Sequence, residues 1–202
     1  MNEAVSLTVL GGSLSDPRDM HGLAHYLEHS VFLGSRHYPD ENAFSKFLKE
    51  NGGQHNAATS HMSTTYFFDI RPGKVVEGVE RLVDMVANPI LHQNSIAREI
   101  KAVNSEWKMN KVRDVRQMWQ IFYSASDPNH PFNSFTAGNS DTIFKNRSVA
   151  EVARRLKDYH ETHYSANLMS IAILTKSRRI VINKKSTRQI IEMNSLTENL
   201  YT

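Results

Sequence analysis

Apolar and polar residues alternate from Ala4 to Leu10, with Val5, Leu7 and Val9 on one side and Ser6 and Thr8 on the other. A period of two predicts a half-buried β-strand. Gly11, Gly12, Asp16 and Pro17 break the pattern, so a loop is expected there. From Met20 onward the period changes. Leu23, Ala24, Tyr26, Leu27, Val31, Phe32 and Leu33 make a helix apolar nearly all round, the pattern of a buried helix. It should begin near Met20–Gly22 and end at Gly34, where a left-handed residue can cap it. Asp40 stands where it can cap the next helix, with Phe44, Phe47 and Leu48 as its inner stripe and Gly52-Gly53 as its end.

Thr64 to Ile70 is rich in β-branched and aromatic residues and reads as a second strand, followed by a turn at Pro72-Gly73. Val75, Val76, Val79, Leu82, Val83 and Val86 recur at helical spacing until Asn88-Pro89 stops them. One long helix is expected from near Asn94 to about Ser124, through Ile96, Ile100, Val103 and Trp107. Asp127 to Asn139 is too rich in breakers to be anything but loop. Ser148 caps a further helix carrying Val152, Leu156, Tyr159 and His163, and Leu168 to Leu174 reads as a last strand.

At 202 residues and 40% hydrophobic content, the chain can hold one ordinary domain with a sizeable core. No apolar run approaches the roughly 20 residues of a membrane-spanning helix, and the first residues lack the basic opening of a signal peptide. A cytoplasmic protein without a membrane span is the expectation. The chain has no cysteine, which excludes disulfides and thiolate metal ligands. The net charge of +3 is local: residues 175–202 hold six of the 24 basic residues and two of the 21 acidic ones. Residues 1–174 are left with 18 basic against 19 acidic, so nothing in the body argues for nucleic-acid binding.

The buried helix carries the chemistry. His25 and His29 stand at i and i+4, one above the other, and Glu28 lies roughly 60° to one side of His25. Histidine and glutamate on a helix are ordinarily a solvated stripe, but this helix has no solvated face to offer them. Ionisable groups in such a setting need partners or a metal. Two stacked imidazoles can grip one divalent ion, and a carboxylate beside them can reach a metal-held water. A tetrahedral site of this kind needs a third protein ligand. Glu99 and Glu106, seven residues apart on one face of the predicted long helix, are the candidates. Spacing does not choose between them; the one that does not bind would orient a ligand or the water.

His25-x-x-Glu28-His29 followed 77 residues after His29 by Glu106 resembles the signature of the insulinase/pitrilysin metallopeptidases, the inverzincins. His21-Gly-Leu-Ala, Phe32-Leu-Gly-Ser, Tyr38-Pro-Asp-Glu-Asn42, Gly52-Gly53, Asn56-Ala57, His130-Pro-Phe and Gly138-Asn139 are similar to the branch of insulin-degrading enzyme and nardilysin. The resemblance spans residues 4 to about 174. It implies an α+β fold, two-layer, with a mostly antiparallel sheet covered by helices. It also implies that His25, His29 and Glu106 bind zinc, that Glu28 is the general base on the water, and that Glu99 is a supporting carboxylate. Asn56 and Ala57 would pair with the main chain of a peptide substrate as an added strand.

The same resemblance implies a strand before Ala4 and a helix after Leu174 that this sequence does not match. Residues 1–174 are therefore expected to be a metallopeptidase catalytic domain incomplete at both ends, and 175–202 a divergent basic, disordered tail. Insulin-degrading relatives close their chamber with a second half that contributes an arginine and a tyrosine. The expected function is a zinc-dependent metalloendopeptidase of small peptides, completed by such a C-terminal half or a homologous chain. The alternative is a fragment that binds zinc and peptides, or a partner peptidase, without turnover. A non-haem iron site would have no use for Glu28. His21, His55, His61 and His130 lack partners at ligand spacing, and His160 and His163 sit among tyrosines that suit packing.

Overall fold

The computed structural model describes residues 2–175; the reading of the basic tail lies outside the described residues apart from its first position. Four strands, β1 (Glu3–Val9), β2 (Gln54–Thr59), β3 (Thr64–Ile70) and β4 (Met169–Leu174), form one sheet in the order β2-β3-β1-β4. Every neighbouring pair is antiparallel. The register puts Val5 opposite Phe68 and Ile173, and Leu7 opposite Tyr66 and Ile171, so one face of the sheet is continuously apolar. Helices cover that face. The other face, with Phe67 and Leu174 outermost, is open among the described residues. This is the expected two-layer α+β arrangement.

The helices are α1 (Leu23–Val31), α2 (Ala43–Glu50), α3 (Val75–Ala87), α4 (Gln93–Asn110), α5 (Asp114–Ala125), α6 (Ser140–Ile143) and α7 (Val149–His163). None is long and apolar enough to cross a membrane. The core lies between the sheet and α1, where Leu23, Ala24, Tyr26, Leu27 and Val31 are almost wholly buried. α1 is thus the inner helix its pattern predicts. Burial excludes water from its ends, so its N-terminal N–H groups need protein acceptors. Asp16 meets this need: its two carboxylate oxygens accept from Gly22 N–H at 2.7 Å and Ala24 N–H at 2.8 Å. Burial pushes the Asp16 carboxyl up to about 7, against those two donors.

Three boundaries differ from the pattern. α1 closes at Val31, short of Gly34. Asp40 does not cap α2; it holds the Asn42 N–H in the turn before, and Asn42 is the capping position. The single helix expected from Asn94 to Ser124 is two, α4 and α5, broken at residues 111–113 without glycine or proline. At the break Arg113 is extended, and the Gln117 side chain donates to the Lys111 carbonyl at 3.0 Å, so a side chain replaces the next helical bond. By contrast Ser148 caps α7 as predicted, accepting from Glu151 N–H.

α4 is fastened to α1 by the buried Tyr26 hydroxyl, which donates to the Ile96 carbonyl at 2.5 Å. Tyr26→Phe removes this bond while keeping the ring. It should lower unfolding stability by about 1 kcal/mol, read as a fall in Tm or in denaturant midpoint; an unchanged midpoint would contradict the fastening.

Candidate metal centre

α1 presents His25, Glu28 and His29 to a cleft of about 1070 Å³, whose opposite wall is α4 and whose rim includes β2 and α5. The three side chains offer ligand atoms within 4.8 Å of one another. Proximity alone would make all three ligands, but their hydrogen bonds separate them.

Each imidazole is anchored through Nδ1. His25 Nδ1 lies 2.6 Å from the Ala137 carbonyl, which can only accept, so Nδ1 carries the proton. His29 Nδ1 lies 2.9 Å from Glu99 Oε1 and is assigned the same tautomer. Both Nε2 atoms then point the other way, toward one atom, Glu106 Oε2, at 3.5 Å from His25 and 3.3 Å from His29. Two donors on a tetrahedral zinc at roughly 2.0–2.1 Å stand about 3.3 Å apart. These separations are the edges of such a tetrahedron. Glu28 is not part of this convergence: its Oε2 accepts from the Thr59 hydroxyl at 2.5 Å. The second oxygen of Glu106 accepts from Asn110 Nδ2 at 3.2 Å, which leaves Oε2 to face the imidazoles.

The electrostatics agree with the donor set. Burial opposes charge on both histidines, but Glu106 outweighs it, holding His25 above its ordinary range; with Glu99 it raises His29 to about 9. In return His25 and His29 hold the Glu106 carboxyl far below the usual carboxylate range. With neutral imidazoles, Glu28, Glu99 and Glu106 bring three negative charges into this half-buried cluster. A divalent cation would neutralise most of that charge.

Two glycines set the His25 anchor. Gly22 and Gly138 both have positive φ, 86° and 67°, and their backbones touch: a Cβ on Gly22 would fall 2.2 Å from Gly138 Cα. That approach brings the Ala137 carbonyl onto the ring. Asn104 of α4 accepts from Ser140 N–H at 2.8 Å and holds the same loop from its other side. Residue spacing had no means of finding Ala137, Thr59 or Asp16, whose contacts span between eight and 112 residues, whereas Asn110 is the i+4 helical neighbour of Glu106. Asn56 and Ala57 lie on β2, an edge strand, and line the same cleft. His55 and His61 also line it and are engaged elsewhere. His55 bonds Ser45 and stacks on Phe32, and His61 stacks on Phe132.

Comparison with known proteins gives the same class. The model of the insulinase family (peptidase family M16) matches residues 2–128. The chain is 39% identical over 168 residues to Protease 3 of Escherichia coli K12, covering 83% of this chain and 17% of that one. It is 37% identical over 173 residues to the insulin-degrading enzyme of Bos taurus, covering 85% of this chain and 17% of the enzyme. The crystal structure of pitrilysin superposes with a TM-score of 0.83 at 37% identity, over 87% of this chain and 19% of that one. The chain belongs to the insulinase family of metallopeptidases. It spans about a fifth of the length of these relatives.

Two measurements test the centre. Gly22→Ala should release the Ala137 latch and weaken zinc binding about 10- to 100-fold in a competition titration. Gly52→Ala, also at positive φ but with nothing within 4 Å, is the control for backbone strain and should leave zinc affinity unchanged. Because His29 without metal is protonated up to about pH 9, zinc uptake at pH 7.5 should release about one proton or more. Calorimetry in buffers of different ionisation heat reads that number, and affinity should fall as pH is lowered; zero release would contradict the pairing.

Proposed function

We propose that this chain carries the zinc-dependent catalytic centre of a metalloendopeptidase that cleaves small peptides. The observation that carries the reading is the division of labour among four side chains. His25 Nε2, His29 Nε2 and Glu106 Oε2 converge at zinc-ligand separations, while Glu28 is held apart from them by Thr59. In this reading His25, His29 and Glu106 hold the ion. Glu99 and the Ala137 carbonyl fix the imidazole tautomers. Zinc, when bound, would supply a Lewis acid that lowers the pKa of water toward about 7 and polarises a peptide carbonyl. Glu28 takes a proton from the attacking water and delivers it to the departing amine nitrogen.

A peptide would lie along the free edge of β2. There Ala57 N–H is not spent on β3; it is taken by the Asn56 side chain at 2.9 Å. An added strand can claim that N–H once the Asn56 amide turns away, which reads backbone and not side chains. Part of the rim of the cleft is α5, which buries none of its residues and exposes Val115, Met118, Trp119, Ile121 and Phe122. Apolar surface of that extent suits cover by further polypeptide, a C-terminal half or a homologous chain. The same observation favours a second reading, a zinc- and peptide-binding unit without turnover of its own.

Hydrolysis of a quenched peptide by the zinc-loaded protein separates the readings. The peptidase reading requires turnover that a chelator abolishes and zinc restores. Glu28→Gln should retain one zinc per chain and lose roughly 10³-fold in kcat. Loss of zinc in that variant, or unchanged turnover, would overturn the role given to Glu28; absence of any turnover in the wild-type chain supports the binding-only reading.

A further inference from the structure

Glu28 has two oxygens, and the fold treats them differently. Thr59 ends β2 on the helix-covered face of the sheet, paired across the strands with Thr64. Its hydroxyl oxygen lies 2.5 Å from Glu28 Oε2 and 3.3 Å from Thr64 Oγ1. Thr64 is fully buried and donates its only proton to the Gly11 carbonyl at 2.8 Å. In the Thr59–Thr64 contact, then, Thr64 can only accept. Thr59 also has a single proton, and the carboxylate at the shorter distance is the stronger acceptor. The hydroxyl direction is therefore set by the sheet: Thr64 to Gly11, Thr59 to Glu28. Among the described residues Oε1 of Glu28 has no hydrogen-bond partner, although the residue is only 7% exposed.

We infer that Thr59 is a positioning residue for the proposed peptidase reaction: its hydroxyl holds Oε2 of Glu28 as acceptor and reserves Oε1 for proton transfer. The inference rests on the peptidase reading. With Oε2 already accepting the hydrogen bond of Thr59, the proton leaving water goes to Oε1. The water oxygen pair forms the new bond to the peptide carbon, the C–N bond breaks, and the Oε1 proton passes to the amine nitrogen. Nothing is oxidised or reduced. The tether also keeps Glu28 from swinging onto the ion held by its neighbours, since Oε2 stays with β2.

Thr59→Val keeps the side-chain shape and removes the hydroxyl; Thr59→Ser keeps the hydroxyl. In the zinc-loaded full chain, Thr59→Val should lower kcat about 10- to 100-fold with KM within about twofold and zinc content unchanged. Thr59→Ser should restore most of the loss. A second readout needs no turnover: with glutamate labelled by ¹³C at the side-chain carboxyl, the Glu28 resonance is identified by its loss in Glu28→Gln. It should move in Thr59→Val and return in Thr59→Ser. A resonance unmoved by Thr59→Val, a kcat equal to wild type, or a kcat loss that tracks lost zinc overturns the inference. Wild-type turnover in Thr59→Val beside an inactive Glu28→Gln overturns this inference alone. Unchanged turnover in Glu28→Gln overturns the peptidase reading with it.

Discussion

Everything in this molecule depends on two imidazole rings being turned the same way. A neutral histidine has one donor nitrogen and one acceptor nitrogen, and the partner of the first decides where the second points. Ala137 and Glu99 occupy the two Nδ1 atoms, so both Nε2 atoms face inward toward Glu106. The rest of the fold serves that arrangement. Asp16 replaces water at the buried end of α1. The Gly22–Gly138 contact delivers the Ala137 carbonyl, and Tyr26 sets α4 against α1 so that Glu99 and Glu106 arrive one on each side of His29. Remove the anchors and the same donors no longer share a centre.

The polar groups are tolerated in the core for the same reason. Glu3, on the buried face of β1, accepts from the Gly73 N–H and the Thr175 hydroxyl. Asp84 accepts from the His37 backbone and ring, which ties the loop after α1 to α3. Both oxygens of Glu3 and of Asp84 are satisfied within the protein, as burial of charge demands. Of the three buried carboxylates Glu28 alone keeps an oxygen without a hydrogen-bond partner among the described residues, and its side chain lines the cleft.

Much of this was legible in the residues. Period-two alternation located β1, and β-branched and aromatic content located β3, almost to the residue. The all-apolar character of α1 announced its burial, and the i, i+4 histidines with Glu99 and Glu106 are the side chains that the fold brings together. What local pattern could not express is anything set by contact between distant segments. The break between α4 and α5 has no Gly or Pro; it depends on a Gln117 amide reaching a backbone carbonyl. The choice of Glu106 over Glu99 came from resemblance, and only the rotation of His29 gives it a physical reason. Thr59 carries no local signal, because its contact with Glu28 joins β2 to α1 across 31 residues.

The central claim is that two Nε2 atoms and Glu106 make the metal centre while Glu28 stays outside it. X-ray absorption at the zinc edge addresses this without relying on catalysis. The account predicts four light ligands at roughly 2.0–2.1 Å, two of them imidazoles, with an unchanged spectrum in Glu28→Gln and a lost oxygen donor in Glu106→Gln. A spectrum that changes with Glu28→Gln and survives Glu106→Gln would contradict it.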